Sequence, residues 1–153
     1  MIAVVQRVTE AQVVVDGQVV GRIGPGMAVL LAVHRDDGRQ DVEWMAAKLV
    51  SLRIFRDADR HFERDICQSG GSMLLVSNFT VAAATRKGRR PSFDAAAPPD
   101  MGRILFDQLV AAVAAAGVPV ATGVFGADMA VSLVNDGPAT FILDSVPARA
   151  ARK

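Results

Sequence analysis

Apolar residues recur at every second position near the start of the chain and at every third or fourth position in two later stretches, and this change of period divides the sequence into strands and helices. Residues 2–9 and 11–15 are rich in Val and alternate partly with Gln6, Thr9, Gln12 and Asp16, which predicts two strands or one long bent strand. Asp16-Gly17 between β-prone segments is a hairpin signal, because both residue types tolerate the positive φ of a tight turn; residues 18–23 should therefore return antiparallel. Gly24-Pro25-Gly26 places Pro and Gly as a type II turn requires, and residues 27–33 form another nearly continuous apolar strand.

Helical spacing appears in Val42, Met45, Ala46 and Leu49, and predicts a helix over residues 39–51 opened by a capping box of Asp37 and Gln40. Trp44 and Met45 read as packing residues of that helix. Leu52-Arg53-Ile54-Phe55 alternates like a strand, whereas residues 56–69 are charged, carry no clean period and receive no element. Gly70-Gly71 followed by Met73-Leu74-Leu75-Val76 predicts a short strand buried on both faces. Pro98-Pro99 blocks any earlier helix and Asp100 is a fair N-cap; Met101, Ile104, Leu105, Leu109, Ala112 and Val113 then make one apolar face, stopped at Gly117 with Pro119 beyond. Residues 118–122, 129–134 and 141–143 read as strands, with Asn135-Asp136-Gly137-Pro138-Ala139-Thr140 as a turn between the last two. Strands grouped early and late around two main helices predict an α/β fold of mixed, largely antiparallel sheets covered on one side by helices.

A chain of 153 residues suits one domain, here residues 1–145, long enough to bury roughly 70% of its unfolded surface. Residues 146–153 are Ala/Arg-rich without a convincing apolar face and read as a loosely ordered tail. Lys and Arg number 17 against 16 Asp and Glu, so overall charge points to no partner and only local clustering can. No stretch approaches the roughly 18 apolar residues of a membrane span, and the first residues lack the basic, hydrophobic, small-residue order of a signal peptide. A single cysteine, Cys67, leaves no internal disulfide and agrees with a reducing cytoplasm; with only His34 and His61 besides, no metal-ligand spacing is visible. No cofactor is expected.

Candidate chemistry gathers after the central strand. Ser77, Asn78, Phe79 and Thr80 sit where a buried strand emerges, a natural place for a site. Beyond them Arg86, Lys87, Arg89 and Arg90 put four cations in five residues with no acid before Asp94, a density suited to a phosphate backbone. A solvated loop is the plain alternative.

The chain resembles the D-aminoacyl-tRNA deacylases over residues 1–145. The resemblance is carried by Val5-Gln6-Arg7-Val8, Leu52-Arg53-Ile54-Phe55, Thr85-Arg86-Lys87-Gly88-Arg89-Arg90-Pro91-Ser92-Phe93, Phe125-Gly126-Ala127-Asp128-Met129, and Val131-Ser132-Leu133-Val134-Asn135-Asp136-Gly137-Pro138 with Thr140, in this order and spacing. It implies a three-layer fold and a homodimer in the cytoplasm that cleaves the ester between a D-amino acid and the terminal ribose of tRNA. The same activity would remove glycine mischarged onto tRNA for alanine. The implied partner is D-aminoacyl-tRNA, with no DNA and no membrane. Ser77, Asn78, Phe79 and Thr80 become the catalytic strand end, Arg86, Lys87, Arg89 and Arg90 the tRNA-binding loop, and Gly137-Pro138, with a cis bond, the element that rejects L-amino acids from the partner subunit.

The residues are compatible with this chemistry. Ester hydrolysis needs donors for an oxyanion and an activated nucleophile. No His or Lys stands near Ser77 or Thr80 in sequence, so a triad is poorly supported; backbone N–H groups around Phe79 and Thr80 with help from a ribose hydroxyl fit better, Thr80 as nucleophile being the alternative. Separating enantiomers requires a wall, and a Gly-Pro pair supplies one made of backbone. The chain departs from the family at Asn78, where Gln is usual, at Val81-Ala82-Ala83-Ala84 in place of Leu-Tyr-Ala-Asp, and across residues 61–68. A non-catalytic tRNA-binding dimer and a small-ester or amide hydrolase indifferent to RNA are the competing classes; Cys67 lacks any activating neighbour in sequence.

Overall fold

Valine-rich alternation at the start builds one strand, not two: β1 (Ile2–Val15) runs unbroken and bends through two register shifts against its last partner. The computed structural model describes residues 1–58, 60–86 and 88–146, with Arg60 and His61 described by backbone alone. β1 turns at Asp16-Gly17 (φ +49° and +77°) into antiparallel β2 (Gln18–Ile23), and β3 (Gly26–Ala32) pairs antiparallel with the first half of β1. β6 (Ser72–Ser77) lies parallel to β3, and β7 (Val120–Thr122) parallel to β6. The sheet order is β2-β1-β3-β6-β7, with β8 (Ala130–Asp144) on the free side of β1.

Alternation along β3 and β6 makes two cores. Met27, Val29, Leu31, Met73 and Leu75 point to the helices, against Met45 and Leu49 of α1 (Arg39–Ser51) and Leu109 and Val113 of α3 (Pro99–Ala115). Ala28, Leu74 and Val76 point the other way and meet Val8, Ala11, Val13 and Ile23. The strand expected to be buried on both faces is so, Met73 to Val76 being at most 2% exposed. The second core is covered by the far half of β1 with β2 and β8, giving three layers: helices, shared sheet, and a folded-over β arm. β2 comes so near β7 that a Cβ on Gly21 would lie 2.3 Å from the Thr122 carbonyl oxygen, so only glycine fits there.

Several local expectations are corrected. The turn expected at residues 135–140 is part of β8, which continues to pair with β1 on both sides of it. Between the pairs Gln6↔Thr140 and Val8↔Asn135, two steps along β1 answer five along β8, so residues 136–139 bulge from the ladder. Helix α1 has the expected limits but a different start: the Gly38 N–H donates to Asp41 Oδ2 at 3.0 Å, while Asp37 accepts instead from the Met1 ammonium and the His34 N–H, each at 2.6 Å. A buried ammonium competes better for a carboxylate than a helix start open to water. Helix α3 begins at Pro99 behind Pro98 as cap residue, with Asp100 inside its first turn. Its buried face is Gly102, Leu105, Phe106, Leu109 and Val113; Ile104 is 57% exposed and Phe106 takes its place.

Pairing near residue 55 begins later than expected, at β4 (Phe55–Asp57), whose only ladder partner among the described residues is β5 (Arg60–Arg64). The unassigned segment thus holds a hairpin and a one-turn helix, α2 (Ile66–Ser69). Asp65 and Gln68 close a reciprocal capping box on α2, Oδ1 accepting from the Gln68 N–H at 2.8 Å and Oε1 from the Asp65 N–H at 3.0 Å. β7 starts at Val120 rather than 118, and β8 at Ala130 rather than 129. Trp44 packs against the helix-side core as expected, and Cys67 is exposed. Of the C-terminal tail, residues 147–153 lie outside the described residues. No helix among the described residues is long and apolar enough to cross a membrane.

Candidate active site

Parallel strands β3 and β6 end side by side, and their C-terminal ends open onto a cleft of about 620 Å³. Its floor is Leu31, Val33 and Val76; one wall is Ser77, Asn78, Phe79 and Thr80; the opposite wall is Pro99, Gly102 and Phe106 of α3 with the loop from Phe125 to Met129. Four expected site residues are thus brought together at one strand end. Gly102 lets Phe125 settle on α3, a Cβ there reaching the ring at 3.4 Å, and Arg103 holds the loop by lying over that ring at 4.9 Å and donating to the Phe125 carbonyl at 3.2 Å.

The strand end is held by main-chain and side-chain bonds. The Asn78 N–H donates to the Leu31 carbonyl at 2.7 Å, and a 3₁₀ turn follows over Phe79–Ala82. Asn78 Oδ1 caps that turn, accepting from the Thr80 N–H at 3.2 Å and from the Thr80 hydroxyl at 2.5 Å. The Phe79 N–H donates to no described residue. Of two backbone donors expected to serve an oxyanion, one is therefore occupied and one free. Among the described residues Asp128 is the only ionisable side chain lining the cleft, and His34 is not among its walls. Nothing is described of the His61 side chain. Among the described residues no group of three or more His, Cys, Asp or Glu could hold a metal ion.

The basic loop is tied to the mouth of this cleft. Ala84 and Ser92 exchange hydrogen bonds at 2.8 and 2.9 Å, closing the loop that carries Arg86, Arg89 and Arg90, all exposed; Lys87 lies outside the described residues. Phe93 meets Phe79 edge-on at 5.1 Å, and the chain continues to Ala96 and Ala97, which line the cleft.

Gly137-Pro138 do not line the cleft of their own chain. They form the β8 bulge, and their peptide bond is cis. Arg7 holds the bulge: Nε donates to the Asp136 carbonyl at 2.9 Å and lies 2.9 Å from Asp136 Oδ2, while Nη1 donates to the Ile54 carbonyl. Arg56 reaches Asp136 Oδ1 at 3.6 Å, and Asn135 Nδ2 donates to the carbonyls of Arg7 and Ala139 at 3.1 and 3.5 Å. The exposed Phe62 ring lies 5.7 Å from the Arg7 guanidinium and edge-on to Phe141.

Arg7 and the Phe125–Met129 loop were not singled out as site residues by sequence reasoning. A signal for Arg7 existed: in the period-2 series Ala3, Val5, Arg7 it takes an inward position, and a buried guanidinium needs partners. The loop has no signal in its period; only its place among the stretches that carry the family resemblance marks it, because a cleft wall depends on what faces it.

Comparison with known proteins agrees with this architecture. Residues 4–144 match the family described as D-Tyr-tRNA(Tyr) deacylase. The D-aminoacyl-tRNA deacylase of Pelobacter propionicus is 56% identical over 94% of this chain and 99% of its own length, and that of Chloroflexus aurantiacus 52% identical over 100% and 96%. Among solved structures, the c-Myc DNA Unwinding Element Binding Protein superposes with a TM-score of 0.90 at 35% identity, covering 95% of this chain and 99% of that one. A probable eukaryotic D-amino acid tRNA deacylase shares the fold at a TM-score of 0.81 and 20% identity, over 94% and 98%. With a family match across nearly the whole chain and relatives more than half identical, the chain belongs to the D-Tyr-tRNA(Tyr) deacylase family, hydrolases of the aminoacyl-tRNA ester bond.

Proposed function

We propose that this protein hydrolyses the ester linking a D-amino acid to the terminal ribose of tRNA, and glycine mischarged onto tRNA for alanine, while sparing L-aminoacyl-tRNA. It does so in the cytoplasm as a homodimer, each cleft completed by Gly137-Pro138 of the partner subunit, and without a cofactor. The observation that carries the reading is the free Phe79 N–H in an open cleft whose mouth also bears the loop of Arg86, Arg89 and Arg90. The loop, with Lys87, attracts the tRNA backbone; the cleft receives the aminoacyl end.

In the reaction the ester carbonyl oxygen accepts from the Phe79 N–H, which stabilises the negative charge that develops as water adds to the carbonyl carbon. The bond from that carbon to the ribose oxygen then breaks, the ribose oxygen taking the proton released by the water, with the neighbouring ribose hydroxyl assisting. Thr80 as nucleophile is disfavoured because its proton is directed at a carboxamide oxygen, a poor base. Ser77 and Asn78 hold the strand end that presents these groups. Selection against L-residues is assigned to the backbone of Gly137-Pro138: a wall without a mobile side chain excludes by contact and lets glycine pass. Supporting this division of labour, Gly137-Pro138 stand away from their own cleft on a bulge held by Arg7.

The test is amino-acid release from matched D-tyrosyl-tRNA and L-tyrosyl-tRNA by the purified protein. Loss of the D-ester alone is expected. Equal loss of both removes the selector, and loss of neither, with salt-sensitive tRNA binding retained, leaves a binding-only relative.

A further inference from the structure

Asn78 uses one atom for two bonds, and this determines what Thr80 can offer a ligand. The Thr80 N–H can only donate, so the side-chain atom of Asn78 that it meets is the carboxamide oxygen. That same oxygen lies 2.5 Å from Thr80 Oγ1. Two oxygens at this distance share a proton, and a carboxamide oxygen has none, so the threonine hydroxyl is the donor. With its proton committed to Asn78, Oγ1 has only lone pairs left to offer a ligand in the cleft that Thr80 lines.

We propose that Asn78 is a positioning residue that fixes the Thr80 hydroxyl as a hydrogen-bond acceptor, and that Thr80 thereby reads an N–H or O–H donor flanking the ester carbonyl of the substrate. The inference rests on the reading of this cleft as the aminoacyl-ester site. A carbonyl group whose oxygen is seated on the Phe79 N–H is flanked on one side by the α-carbon with its ammonium and on the other by the ester oxygen, which leads to the ribose and its vicinal 2′-hydroxyl. Each carries a donor, and Thr80 follows Phe79 by one residue, about 3.8 Å along the chain. Asn suits the task by length: from residue i its oxygen reaches the N–H of residue i+2 in an Asx turn.

Two measurements test this together. In the free protein, amide hydrogen exchange should be slower at Thr80 than at Phe79; Asn78→Ala should abolish the difference, and Asn78→Asp, which keeps an oxygen acceptor, should preserve it. Equal exchange in the wild type, or an Asp variant that behaves as Ala, overturns the positioning role without reference to any substrate. In the second, calorimetry measures binding of D-tyrosyl-adenosine joined through a hydrolysis-resistant 3′-amide, alongside its N-acetyl and 2′-deoxy forms. The wild type should bind one of these altered forms about tenfold more weakly than the parent, which identifies the donor; Thr80→Val should bind that form and the parent alike. Asn78→Ala should weaken the parent, Asn78→Asp should recover part of the loss, and Asn78→Ala added to Thr80→Val should cost nothing further. Full additivity of the two substitutions, or unchanged binding of both altered forms by the wild type, overturns the reading role. Failure of the parent to bind, with the exchange pattern intact, removes the reading role and the aminoacyl-ester reading while the positioning of Thr80 stands.

Discussion

The Arg7 guanidinium grips Asp136 at two points, Nε donating to the backbone carbonyl at 2.9 Å and lying 2.9 Å from Oδ2, in a site where the arginine side chain is 4% exposed. A charge so buried is stable only if its donors are satisfied, and Nη1 also donates to the Ile54 carbonyl. One side chain thus ties the β8 bulge to the segment leading into β4, and the orientation of Gly137-Pro138 follows from it.

Arg7→Lys removes this span, because an ammonium is a point charge and cannot hold Asp136 and Ile54 in the planar fork of a guanidinium. The substitution should cost about 2–3 kcal/mol in urea unfolding. It should also narrow the ratio of D-ester to L-ester hydrolysis, measured on matched tyrosyl-tRNAs, by loosening the bulge.

Gly137→Ala places a Cβ 2.0 Å from Asn135 Oδ1, and Asn135 cannot yield without giving up its bonds to the carbonyls of Arg7 and Ala139. The bulge must therefore move. Stability should fall by about 1–3 kcal/mol, and D-tyrosyl-tRNA hydrolysis should slow about tenfold or more. Unchanged turnover and an unchanged D-to-L ratio would show that Gly137 takes no part in selection.

Asp37 accepts from the Met1 ammonium at 2.6 Å with both groups fully buried, and Ser145 Oγ accepts from the same ammonium at 2.6 Å. Asp37→Ala leaves that ammonium without its counter-charge and should destabilise the fold by about 3–5 kcal/mol. The loss, read as a lower urea midpoint, should be nearly independent of salt, since a pair removed from solvent is little screened.

Arg89 and Arg90 are exposed and make no ion pair among the described residues. Replacing both by Ala should leave the melting temperature almost unchanged. Binding of uncharged tRNA should weaken, and the slope of log affinity against log salt should become shallower by about 0.7–0.9 for each phosphate no longer neutralised. An unaltered slope would remove the loop from the RNA interface.

Much of the fold was legible because its signals are local. Asp16-Gly17 demanded a hairpin, the spacing of Val42, Met45 and Leu49 a helix, and four successive aliphatics from Met73 a strand with both faces covered. Three of the errors fell where a distant group overrode a local preference. Asn135 to Thr140 has the composition of a turn, yet Arg7, more than 120 residues earlier, takes the Asp136 carbonyl and lets the strand continue. Asp37 has the position of a helix cap, yet Met1 claims it. Ile104 and Phe106 both lie near the apolar side of α3, and only the loop that brings Phe125 against Phe106 decides which is buried.

By itself the sequence determined most of the longer elements with their approximate limits, the family, and the residue types gathered at residues 77–80 and 86–90, since these depend on propensity, period and motif along the chain. Tertiary structure alone decided which Phe79 and Thr80 donors remain free, that Gly137-Pro138 stand apart from their own cleft, and that a buried arginine holds them. The reason is physical: a hydrogen bond or a burial is a relation between groups far apart in the chain, and its partner becomes known only when the sheet brings the two together.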